Sequence, residues 1–105
     1  MIVKTNNIPK GYDALTIYPY IFIRPEWADN EALIAHEMVH YDEQSKGKLK
    51  WWFKYTTSKE FRLDAEVRAY KRQLEFEPHN INIFAKLLMT YGVDISYEKA
   101  ITLLH

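Results

Sequence analysis

The sequence predicts an α+β fold, mainly helical, with an N-terminal β-strand or hairpin packed on a metal-site helix. Three observations predict it. Ala14 to Arg24 is dense in β-branched and aromatic residues, which suit a pleated, half-buried surface. Ala32 to Tyr41 sets His36 and His40 four residues apart among apolar neighbours, so both project from one face of a helix. From Thr57 onward apolar residues recur every three or four positions, the helical period.

A chain of 105 residues is one domain, 1–105, with room for a modest core. Its 48% hydrophobic and 15% aromatic content argue for a folded globule over a disordered chain. A formal net charge of zero gives no global field towards nucleic acid or membrane. The absence of cysteine excludes disulfides and thiolate metal sites and leaves the redox compartment open. The first seven residues lack the apolar run of a signal peptide, and no stretch approaches the roughly 18 apolar residues of a membrane span. The expectation is a soluble, cytoplasmic protein.

Along the chain, Ile8 to Tyr12 reads as a turn around Pro9 and Gly11. Pro19 cannot donate to a sheet ladder, so Ala14–Arg24 is either an edge strand or two short strands meeting there. An edge strand in this place either pairs with an extended peptide substrate or simply covers the helix core. Pro25 ends the strand, and Asp29 or Asn30 caps the histidine helix. That helix runs to about Ser45, with Gly47 just past its end.

In the next stretch lysines alternate with aromatics, and no acidic residue occurs between Lys46 and Lys59. Such interleaving binds single-stranded nucleic acid by stacking and charge, or lies at a membrane surface. The competing reading makes Leu49, Trp52 and Phe53 the buried i, i+3, i+4 face of a short helix with solvated lysines. The neutral chain favours this second reading and sets nucleic acid aside as a partner.

Thr57-Ser58-Lys59-Glu60 has capping-box spacing, with Glu60 at N3, and opens a long helix that ends before Pro78. Leu63, Val67, Tyr70 and Leu74 form its apolar stripe; Asp64, Arg68, Lys71 and Glu75 form its solvent face. Glu66 falls outside the solvent face, beside Tyr70, and a carboxylate aimed towards a core needs a partner. Glu60 and Asp64 lie about 120° and 160° from Glu66 on the helix, away from the stripe. Ile81, Phe84, Leu87, Leu88 and Tyr91 give a third amphipathic helix closed by Gly92, and Ser96 caps a short last one. This C-terminal hairpin reads as core cover, and His79 and His105 as surface residues.

The chemistry centres on His36-Glu37-Met38-Val39-His40, an H-E-x-x-H pattern expected by chance in on the order of a few per thousand chains this long. Both imidazoles can reach one metal ion. Glu37 lies about 100° round the helix from His36, where it flanks that metal and suits a general base acting on water held there. The alternative is a buried helix whose histidines bond to backbone. It leaves several ionisable groups on a mostly apolar helix without partners, a cost that a shared metal removes. A zinc hydrolase keeps three protein ligands, and Glu66, 26 residues beyond His40, is available as the third.

With this set the chain resembles the gluzincin, or zincin-like, metallopeptidases, which pair the H-E-x-x-H motif with a glutamate from a following helix. Phe61 to Tyr70 is similar to the Arg-x-x-x-Glu-x-x-Ala-Asp segment of the membrane-bound CAAX-prenyl-protease type, with Tyr70 where that family has aspartate. The resemblance covers about residues 15 to 77 and points to a minimal soluble gluzincin or a phage-borne relative. It implies Zn2+ on His36, His40 and Glu66, Glu37 as general base, and a peptide or protein substrate. Tyr70 or Tyr55 is then a candidate donor to the oxyanion, and Gln44 and Arg62 are candidates to orient the ligands. Two other functions stay open: a catalytically silent zinc-binding interaction or structural domain, and a nucleic-acid-binding module built on residues 46–59.

Overall fold

The computed structural model describes all of residues 1–105. The 14–24 run folds as a hairpin: strand β2, Ala14–Ile17, turns through a cis Tyr18–Pro19 bond into strand β3, Tyr20–Ile23. Pro19 therefore sits in the turn, where its missing N–H costs the sheet nothing. A strand that the sequence does not announce, β1 at Ile2–Lys4, pairs parallel to β3 and makes the order β1-β3-β2. Register opposes Ala14 to Ile23 and Thr16 to Ile21, so these four buried side chains share one face. That face packs on helix α1, Glu31–Gln44.

The loop between β1 and β2 is fastened by one side chain. Arg24 donates from Nε to the Tyr12 carbonyl at 2.8 Å, and from its two terminal nitrogens to those of Asn6, Ile8 and Pro9 at 3.1, 3.0 and 3.3 Å. Asn30 caps α1 by accepting from the Leu33 N–H at 2.9 Å, one of the two expected caps.

Helix α2, Lys48–Thr57, follows Gly47, and helix α3, Lys59–Leu74, packs against α1. The cap of α3 is Ser58, whose hydroxyl accepts from the Phe61 N–H at 3.1 Å. The cap thus falls one residue later than expected, N3 is Phe61, and the expected capping box with Glu60 does not form. Ala65 and Ala69, both fully buried, let α3 approach α1 closely. Leu63, Val67 and Leu74 face the other way, onto a core of Phe84, Ala85, Leu88, Ala100 and Leu104, which Tyr70 joins while also touching His36 of α1. The core residues other than Tyr70 belong to helices α4, Ile81–Leu88, and α5, Tyr97–Leu104. Ser96 caps α5, and Gly92 takes the left-handed conformation after a 3-10 turn at Met89–Tyr91.

The mainly helical α+β architecture is as the sequence predicts, with α3 sandwiched between the α1 layer and the C-terminal hairpin. No helix is long and apolar enough to cross a membrane.

Of the inward face that the sequence favours for α2, only Trp52 is partly covered. Leu49 and Phe53 are 83% and 68% exposed, whereas Trp51 is buried. Trp51 and Tyr55 turn inward instead, stacked at 4.7 Å. Their polar atoms decide the orientation. The Trp51 indole N–H donates to Glu43 at 3.1 Å and the Tyr55 hydroxyl to Glu66 at 2.5 Å, partners that Leu49 and Phe53 cannot use.

Candidate metal centre

Helical spacing puts His36 and His40 one turn apart on α1, ring centroids 5.1 Å from each other, and both rings face α3. There Glu66 meets them: its Oε1 lies 3.2 Å from Nε2 of His36 and 3.3 Å from Nε2 of His40. One ligand atom from each residue falls within 4.8 Å of the other two, and all three residues are buried. His36, His40 and Glu66 therefore form a group that can bind a metal ion.

The neighbours of the ligands favour this use. The Gln73 amide oxygen lies 2.9 Å from Nδ1 of His36. An amide oxygen only accepts, so Nδ1 of His36 donates to it, and Nε2 is the nitrogen left to face Glu66. Nδ1 of His40 lies 3.5 Å from the Glu43 carboxylate, which Trp51 and Arg68 hold in place. A buried pair of imidazole nitrogens converging on a carboxylate oxygen is a donor set that fits a divalent cation.

Without a cation the cluster holds a proton instead. Burial alone would lower the His40 pKa, but the Glu66 carboxylate and hydrogen bonds to Glu43 and Glu66 outweigh it, and His40 is pushed up to about 10. Burial alone would raise Glu66, yet the two histidines hold it below the usual carboxylate range. Tyr55 is raised above the ordinary tyrosine value by its burial and by Glu66, so its hydroxyl stays a donor to that carboxylate. Tyr55 is accordingly tied to a ligand and is not the free donor considered from sequence.

Glu37 is buried on the flank of the group. Thr16, from β2, donates its hydroxyl to Oε1 of Glu37 at 2.7 Å, and Oε2 lies 3.8 Å from Nε2 of His36. One carboxylate oxygen is anchored to the sheet while the other faces the histidines. Tyr70 packs edge-on against His36 at 4.5 Å, and its hydroxyl meets that of Tyr91 at 3.0 Å. Two hydroxyls share one mutual hydrogen bond, which leaves one O–H free to donate elsewhere. Burial raises the pKa of both, so neither is ionised at neutral pH.

Two residues expected near the ligands are engaged elsewhere. Gln44 donates to the Thr16 carbonyl at 3.0 Å and accepts from the Tyr18 N–H at 2.8 Å, clamping β2 to α1. Arg62 donates to the carbonyls of Tyr55, Tyr91 and Gly92, locking α2 and the turn after α4 to α3. His79 and His105 are exposed, as expected. Gln73, Glu43, Thr16 and Tyr91 are the contributors that sequence reasoning missed. Two of them left a signal: Gln73 lies seven residues after Glu66 on the same face of α3, and Glu43 seven after His36 on the same face of α1.

A cavity of about 590 Å³ opens against His36, Glu37, Tyr70 and Tyr91. Trp27, Leu33, Ile83 and Leu87 give it an apolar wall, so the C-terminal hairpin is more than core cover. Its size is that of ordinary ligand clefts. Comparison with family models, characterised proteins and solved structures finds no match to this chain.

Proposed function

We propose that the protein is a zinc-dependent metallopeptidase of the gluzincin kind. The observation that carries this reading is the convergence of His36, His40 and Glu66 beside Glu37, with His36 and Glu37 open to the cavity. Zinc is the choice for a His/His/Glu set with neutral imidazoles. Bound there, it supplies Lewis acidity to a scissile carbonyl and acidity to water.

The chain's own residues do the remaining work. Oε2 of Glu37 takes a proton from water as the water oxygen adds to the carbonyl carbon. Glu37 then gives that proton to the amide nitrogen as the C–N bond breaks, releasing an amine and a carboxylic acid. Thr16 holds Glu37 in the orientation both transfers need. The Tyr70–Tyr91 pair keeps one O–H for the oxyanion that develops on the carbonyl. An extended peptide pairs with the Ala14 end of β2, which lines the cavity, because Gln44 already occupies the Thr16 carbonyl and the Tyr18 N–H.

Glu37→Gln tests this. The variant is expected to keep its zinc while hydrolysis of an unstructured peptide falls by about 10²–10⁴-fold. Equal activity in variant and wild type overturns the assignment of Glu37. A wild-type protein that holds zinc and cleaves no peptide is instead a catalytically silent metal-binding domain.

A further inference from the structure

Helix α2 has two working faces. Trp51 and Tyr55 look into the metal centre, stacked on each other, with Trp51 edge-on to His40 at 5.5 Å. Leu49 and Phe53 lie two residues either side of Trp51, roughly 160–200° round the helix, and point away from the protein. Leu49 at 83% and Phe53 at 68% are bare apolar side chains one turn apart. Flanking them along the chain are Lys46, Lys50, Lys54 and Lys59, all exposed, and half-buried Lys48. No acidic residue interrupts the segment from Lys46 to Lys59, in a chain whose total formal charge is zero. The positive charge of this helix is therefore local and set against an acidic remainder.

We propose that this outer face of α2 docks on an anionic phospholipid surface, Leu49 and Phe53 entering the acyl boundary and the lysines meeting phosphates. The chemistry selects this occupant. Lysine is depleted from protein–protein interfaces, whereas its flexible stem lets it lie along apolar surface with the ammonium among headgroups. A single-stranded nucleic acid needs open aromatic faces to stack on. Trp51 is buried and Trp52 packs against both Trp51 and Tyr55, so within the helix Phe53 is the most open ring. Leu49, the most exposed residue of the patch, has no π face to offer. Two apolar anchors flanked by lysines, on a short helix, match a peripheral membrane contact.

The 105-residue protein, loaded with zinc, is sedimented with vesicles of phosphatidylcholine alone or mixed with phosphatidylserine. Binding is expected only to the mixed vesicles. It should weaken strongly when salt rises from physiological to about 1 M, which shortens the screening length from about 8 Å to about 3 Å. Leu49→Ser with Phe53→Ser should lower partitioning about tenfold. Lys50→Glu with Lys54→Glu should abolish it. Far-UV circular dichroism and metal content identical to wild type show that each variant is folded. All four residues face solvent, so folding is expected to survive. Equal binding to both vesicle types, no binding to either, or retention by the variants overturns the proposal. Salt-sensitive binding to single-stranded DNA without vesicle binding overturns it in favour of nucleic acid.

Discussion

The amide oxygen of Gln73 stands 2.9 Å from Nδ1 of His36, two helical turns along α3 from Glu66. One helix thus supplies both a candidate ligand and the group that orients another candidate ligand. Gln73→Leu removes the acceptor while keeping the bulk of the side chain. Metal affinity is expected to fall by about 10–100-fold, the usual cost of losing such a partner. Competition with a chromophoric chelator measures it. Unchanged affinity would mean that His36 is oriented without Gln73.

Glu66 and Asp64 separate the proposed ligand from an ordinary surface acid. Glu66 is buried among the histidines, and Asp64 is exposed. Glu66→Gln is expected to weaken zinc binding at least about tenfold. Asp64→Asn should leave it unchanged. Zinc titration of the two folded variants reads the difference, and the reverse result would refute the ligand set.

In the proposed mechanism the Thr16 hydroxyl acts through Glu37. Thr16→Val keeps the β-branched shape and deletes the hydroxyl that anchors Oε1 of Glu37. Peptide hydrolysis is expected to fall by about tenfold or more, short of the full loss of the base. Zinc content should stay at the wild-type level. If kcat is unaffected, Glu37 finds its working position without the sheet.

Stripped of metal, the protein should show a pH-dependent stability with a definite sign. His40 is raised from its ordinary 6.5 to about 10 when folded, so the native state holds that proton more tightly than the unfolded chain. The resulting stabilisation is fully present below about pH 6.5 and lost as pH rises through about 10. Glu66 and Glu43 are lowered, so their contribution is present above the ordinary carboxylate range and lost as pH falls below it. Urea midpoints of chelator-treated protein should therefore decline from neutral towards alkaline pH. His40→Asn should flatten that decline. A level wild-type profile would show that the His40–Glu66 pair does not form.

Much of the metal group was legible in the sequence because local rules suffice for it. The four-residue spacing fixes the histidines on one face, and the placement of Glu66 outside the solvent face of α3 singles out that carboxylate. The strand region was legible as strand but not as a three-stranded sheet. Ile2–Lys4 is too short to announce itself, and its partner is β3, far along the chain. The face of α2 was misread for a physical reason. Apolarity alone allows either Leu49/Trp52/Phe53 or Trp51/Tyr55 to turn inward. The choice is made by Glu43 on α1 and Glu66 on α3, which accept from an indole and a phenol. Thr16 and Tyr91 reach the site from β2 and from the turn after α4, and no periodicity connects those positions to His36.

The loop joining β1 to β2 has no regular hydrogen-bond ladder of its own, yet Arg24 collects four of its carbonyls in one planar fork. Lys10 to Asp13 of this loop form one rim of the cavity. Arg24 follows directly on β3, the middle strand of the sheet, so the rim inherits the order of that strand. Amide exchange across residues 6–13 should therefore be cooperative with β3 and slow for a segment without secondary structure. Arg24→Lys keeps the charge but not the fork, and exposes the rim to proteases while the helices remain protected.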